Sequence, residues 1–126
     1  MQTLHLYAAW TGILMGFLAG AGLGVFFHRD GWLGGYGSWS RRMARLGHIS
    51  FFGIAFINLA YGVCLAVSEQ IIESPYISFL FVCGAITMPM VCFLSAYKKP
   101  FRHLFFVPVL CLIIGTLLLL KGGLMS

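Results

Sequence analysis

Polar and apolar positions segregate along this chain into long blocks. Four apolar runs, at residues 4–27, 48–67, 75–97 and 103–120, are separated by short polar segments. A helix rises about 1.5 Å per residue, so roughly 20 apolar residues span a hydrocarbon core of about 30 Å. The pattern therefore predicts an all-α fold, an integral membrane up-down bundle of four transmembrane helices forming one domain over residues 1–126. The first run begins at Leu4 with no basic residue before it, which reads as a retained helix and not as a cleaved secretory signal.

The links refine this picture. SEQIIES, at 68–74, is short enough to force an antiparallel hairpin. Ser74 followed by Pro75 is a helix start, because proline at the first helical position gives up only an amide with no helical partner. In the 28–47 segment, HRDGWLGGYGSWSRRMARLG, the amphipathic rings of Trp32, Tyr36 and Trp39 suit a membrane interface. Residues 38–46 predict a short interfacial helix with Ser38 or Ser40 as its cap and its arginines turned to lipid phosphates. Pro89 and Pro108 predict kinks in the third and fourth spans.

Composition and charge narrow the function classes. Hydrophobic residues make up 60% of the chain and charged ones 9%, far from the soluble average of about a quarter charged. The acidic residues are Asp30, Glu69 and Glu73. They are too few for both a carboxylate dyad and a solvated surface, which excludes a soluble hydrolase. The formal charge of +5 is clustered beside the apolar runs, a poor match for a phosphate-tracking face, so no nucleic-acid partner is expected. Arg29, Arg41, Arg42, Arg45, Lys98, Lys99 and Arg102 fall in links on one side, against Lys121 alone on the other. Basic loops stay in the cytoplasm. The expected location is a prokaryotic cell inner membrane, multi-pass, with both termini outside the cytoplasm. Cys64, Cys83, Cys92 and Cys111 all lie inside apolar spans, where they are expected as free thiols packed like small core residues.

Gly12, Gly16, Gly20 and Gly24 recur every fourth residue in the first span. Glycine lets helix backbones approach closely where lipid offers no hydrophobic drive, so this ridge is expected to pack inside the chain, to dock onto another subunit or to admit a flat cofactor. Asn58, near the middle of the second span, must find a partner in hydrocarbon. An interhelical hydrogen bond or a quinone contact would supply one.

The histidines carry the sharpest expectation. His28, His48 and His103 all flank spans at the basic end, with His5 opposite. In a closed four-helix bundle the second and fourth helices lie diagonally, so His48 and His103 face each other as axial ligands of one haem b, with His28 the third candidate. Arg45 and Arg102 stand ready for the propionates. Ala55 and Gly62 continue the His48 face with small residues, and Gly84, Met88, Cys92 and Ser95 form a narrow soft face on the third span. Below His103 the fourth-helix face is Phe106, Val107, Leu110 and Ile114. In architecture and histidine placement the chain resembles small four-helix membrane cytochromes. A metal site built from the same histidines with Met88 or Cys92 is the alternative, and interfacial snorkelling without a cofactor is the plainer one. No hydrolytic or transferase constellation stands out. The expected function is membrane electron transfer through a b-type haem. Its alternative is a non-catalytic small subunit of a larger respiratory or photosynthetic membrane complex, or a homo-oligomer, docked through the glycine ridge.

Overall fold

In the computed structural model, which describes residues 2–71 and 73–124 with the last two as backbone, the apolar runs form four long helices. They are α1 (Gln2–Phe27), α2 (Trp39–Val67), α3 (Pro75–Tyr97) and α4 (Phe106–Leu119). Among the described residues there is no strand. A 3₁₀ turn, Lys99–Phe105, leads into α4, and a wider turn, Leu120–Leu124, extends it, so each of the four helical segments is long and apolar enough to cross a membrane.

Local chemistry sets the helix ends. Residues 38–46 do not form a separate interfacial helix, because nothing interrupts the ladder after Trp39 and α2 runs on to Val67. Ser38 caps it: its Oγ accepts from the Arg41 N–H at 3.2 Å and donates to the Leu33 carbonyl at 2.6 Å. Just before the cap, Leu33, Gly34 and Gly35 hold φ of 54°, 87° and 98°. Two of these left-handed positions are glycines, which meet no Cβ penalty there. Ser74 and Pro75 start α3 as the sequence predicts. Pro89 is accommodated within a continuous α3. Pro108 falls in the first turn of α4, just after the 3₁₀ turn, where a missing N–H costs no α-helical bond.

Successive helices pack antiparallel, α1 on α2, α2 on α3 and α3 on α4. α1 touches α3 only lightly, and neither α1 nor α2 packs extensively on α4. The expected closed bundle is therefore opened into a layer with α2 and α3 inside. The most apolar stretches of α2 and α3 are 33% and 39% buried, those of α1 and the α4 segment 6% and 11%.

Small residues set these interfaces. A Cβ on Gly12 would meet Ala55 Cβ at 2.9 Å, on Gly16 the Phe52 ring at 2.7 Å and on Gly20 the His48 ring at 2.6 Å. Three of the four ridge glycines thus face α2, while Gly24 has open space. The α2–α3 contact uses Gly47 against Phe93 and Cys92, and the α3–α4 contact uses Gly84 against Leu112 and Gly115 against Phe81. Tyr61, Ile71, Ile77 and Phe81 form the buried apolar cluster, with Leu112 and Leu119 of α4 against it. The four cysteines are free thiols, and the Sγ atoms of Cys83 and Cys111 lie 3.7 Å apart across α3 and α4.

Candidate functional site

The most developed polar constellation lies where α1, α2 and α3 meet. It is built from His5, Asn58 and Ser78, which are 0%, 0% and 2% exposed. His5 Nδ1 stands 2.8 Å from Asn58 Oδ1, and His5 Nε2 stands 2.8 Å from Ser78 Oγ. Asn58 Nδ2 donates to the carbonyls of Ile54 at 3.1 Å and Phe81 at 3.4 Å, which fixes the amide with its oxygen toward the imidazole. An oxygen can only accept, so Nδ1 carries the proton and donates. In the neutral ring Nε2 is then the acceptor, and the Ser78 hydroxyl donates to it. The Tyr61 ring packs edge-on against the imidazole at 4.6 Å between centroids, and its hydroxyl is buried without a hydrogen-bond partner.

Sequence reasoning set His5 aside as the lone histidine at the far end. The register of the glycine ridge carried the missing signal. Pairing Gly12 with Ala55 and Gly20 with His48 brings Gly62 opposite His5, where its own Cβ would sit 3.2 Å from that of His5. Asn58 is one turn from Gly62, on the same side of α2. The expected interhelical hydrogen bond of Asn58 is thus present, toward His5.

Beside this junction an apolar cleft of about 440 Å³ opens between α1 and α3, with Phe51 of α2 at its floor. Leu4, Ala8 and Gly12 line one wall, Val82, Ala85 and Ile86 the other. Leu4 is next to His5 in sequence and Val82 is one helical turn from Ser78, but His5, Asn58 and Ser78 do not themselves line the cleft.

The histidines and arginines expected at a haem lie apart. His48 turns into α1, its ring over Gly20 and edge-on to Phe52 at 5.4 Å, and its Nδ1 is buried without a hydrogen-bond partner. His103 lies in the 3₁₀ turn before α4 and is exposed. Phe106, Leu110 and Ile114, on the face read as continuing from it, are 60%, 48% and 45% exposed, whereas Pro108 and Gly115 are buried. That face looks outward because α4 packs on the far side of α3. The small residues on the His48 face leave no gap either, since Ala55 is filled by Gly12 and Gly62 by His5. On α3, Gly84 is occupied by Leu112 and Cys92 sits against Gly47. These residues do not fit a bis-histidine haem between α2 and α4. His28 and Arg102 are exposed, and the Arg45 guanidinium lies over the Tyr36 ring at 4.0 Å. Among the described residues no group of three His, Cys, Asp or Glu side chains is placed to hold a metal ion.

One arginine read as lipid-facing has a different place. Arg41 is 3% exposed, and its guanidinium donates to the carbonyls of Phe27, of Arg29 at 3.3 Å and of Asp30 at 3.5 Å. Its cation lies 4.7 Å from the centre of the Phe27 ring. It closes the carboxyl end of α1, where carbonyls lack helical donors and a positive charge meets the negative end of the helix dipole. Trp39 similarly gives its indole N–H to the Ser95 carbonyl at 2.9 Å, joining the start of α2 to the end of α3. No protein-family model, curated protein or solved structure matches this chain.

Proposed function

We propose that the chain is a multi-pass membrane protein serving as a small subunit of a larger assembly in the bilayer, with its basic end in the cytoplasm and α1 as the joining helix. The observation that carries this is the unequal use of the α1 glycines. Gly12, Gly16 and Gly20 are taken up by α2, whereas Gly22 and Gly24 face open space on a helix whose most apolar stretch is 6% buried. Lipid tails gain little from a glycine notch, but a second helix gains backbone approach there. The electron-transfer reading needs two imidazoles facing across a gap, and the layer supports it less, since α3 stands between α4 and the α1–α2 pair.

The test is substitution at the open glycines. Gly22→Leu with Gly24→Leu keeps helix content and detergent stability while the assembly drops to lower mass on native electrophoresis of mildly solubilised membranes. Unchanged mass in the folded double variant would overturn the proposal. Gly16→Leu serves as contrast, because it strikes the Phe52 ring inside the chain and lowers stability itself.

A further inference from the structure

We infer that Ser78, His5 and Asn58 form an intramembrane acyl-transfer site, with Ser78 as nucleophile and His5 as its base, acting on the acyl ester of a lipid that enters the α1–α3 cleft. Three observations carry this beyond a polar knot that merely ties helices together.

The first is the direction of the hydrogen bonds. A tie between helices works with any pairing of donors and acceptors. Here the Asn58 amide is locked by its two backbone acceptors, at 3.1 and 3.4 Å, so that the imidazole holds its proton on Nδ1 and presents the Nε2 lone pair to the Ser78 hydroxyl at 2.8 Å. This is the order of hydroxyl, base and orienting group that activates a nucleophile, with an amide as the third member. The second is the cleft. Its apolar walls, about 440 Å³ in volume, include Leu4, next to His5, and Val82, one turn from Ser78, though not the junction residues themselves, so an acyl chain lying there packs against the residues that flank the junction. The third is Tyr61, 2% exposed, whose hydroxyl has no hydrogen-bond partner although its ring lies against the imidazole. It is an uncommitted donor on the residue packed against the base, of the kind suited to an oxygen that gains negative charge.

The chemistry balances with water as the second reactant. Ser78 Oγ attacks the ester carbonyl carbon while its proton passes to His5 Nε2. The bond from that carbon to the alcohol oxygen breaks, and the imidazolium returns the proton to the departing alcohol, leaving an acyl-Ser78 ester. A water molecule then gives a proton to Nε2 and attacks the same carbon. The C–Oγ bond breaks, Oγ recovers the proton, and the fatty acid leaves. Ser78 is in the first turn of α3 and His5 in the first turn of α1, so this end of the layer is within reach of interfacial water. Asn58 is a positioning residue, acting through the imidazole.

The test uses the whole chain in native membranes and an alkyl fluorophosphonate, which phosphonylates an activated serine with loss of fluoride. The wild-type protein is labelled on the peptide containing Ser78 and releases fatty acid from a long-chain p-nitrophenyl ester in mixed micelles. Ser78→Ala, which removes only an oxygen, stays folded and loses both activities. His5→Gln loses labelling while its circular dichroism is retained. If His5→Gln fails to fold, the Asn58 pair decides. Asn58→Asp keeps an acceptor toward Nδ1 and retains labelling, while Asn58→Leu loses it. Folded wild-type protein that resists the probe, labelling that survives Ser78→Ala, or equal labelling of the two Asn58 variants each overturns the inference and leaves a purely structural knot. Because these readouts ignore native mass, they are independent of the joining role proposed for Gly22 and Gly24.

Discussion

At the scale of single residues, burial decides which polar groups build the molecule. Arg41 and Arg42 are adjacent and chemically identical in the sequence, yet one is buried against three carbonyls and the other is exposed. Helical geometry turns neighbouring side chains about 100° apart, and the chain reversal at Leu33–Gly35 brings the end of α1 back over only one of them. Arg41→Ala removes charge-assisted hydrogen bonds worth roughly 1.5–3 kcal/mol each when unshared. A net loss of about 2–4 kcal/mol is expected, read as a lower melting temperature in detergent. Arg41→Lys restores only part of this, since a point ammonium replaces the planar fork that reaches several carbonyls. Arg42→Ala is expected to change stability by less than about 0.5 kcal/mol. Asn58 was legible as a residue in need of a partner, but choosing among His5, a quinone and another helix required the register of α1 against α2.

At the scale of elements, the glycine period was plain in the sequence and its meaning was not. A small-residue ridge states that something comes close, and it leaves open whether that is a neighbour in the chain or another molecule. The structure divides the ridge, and an alanine scan checks the division. Gly12→Ala, Gly16→Ala and Gly20→Ala place a methyl group 2.9, 2.7 and 2.6 Å from atoms of α2 and are expected to cost about 1–3 kcal/mol each. Gly22→Ala and Gly24→Ala, with open space around them, are expected to be neutral or slightly stabilising, because alanine is the better helix former. The α3–α4 contact has its own check. Cys83 and Cys111, 3.7 Å apart at sulfur, are expected to be joined within one chain by a membrane-permeant oxidant, detected as a single cross-linked peptide. Either cysteine changed to serine abolishes the product. If α4 packed against α2 instead, the two thiols would stay separate under the same treatment.

At the scale of the whole molecule, the antiparallel order puts residues 68–74 at one end and the two basic links at the other. A reporter in the 68–74 link, or one fused after Ser126, which lies outside the described residues, is expected to score as non-cytoplasmic. One inserted near Gly35 is expected to score as cytoplasmic, and the reverse pattern would invert the proposed orientation. Four helices, their antiparallel succession and the charge asymmetry between the ends follow from the sequence alone. They depend on the length of apolar runs, the shortness of links and a count of basic residues, all of which are local quantities. What only the tertiary structure decided is which side of α3 receives α4. That choice depends on side-chain fit, Leu112 into Gly84 and Phe81 into Gly115, and no property of the fourth run taken alone encodes it. On it turns the candidate site. With α4 diagonal to α2, His48 and His103 would have met across a core. With α4 beyond α3, His103 faces outward, a cleft stays open between α1 and α3, and the histidine that finds buried partners is His5.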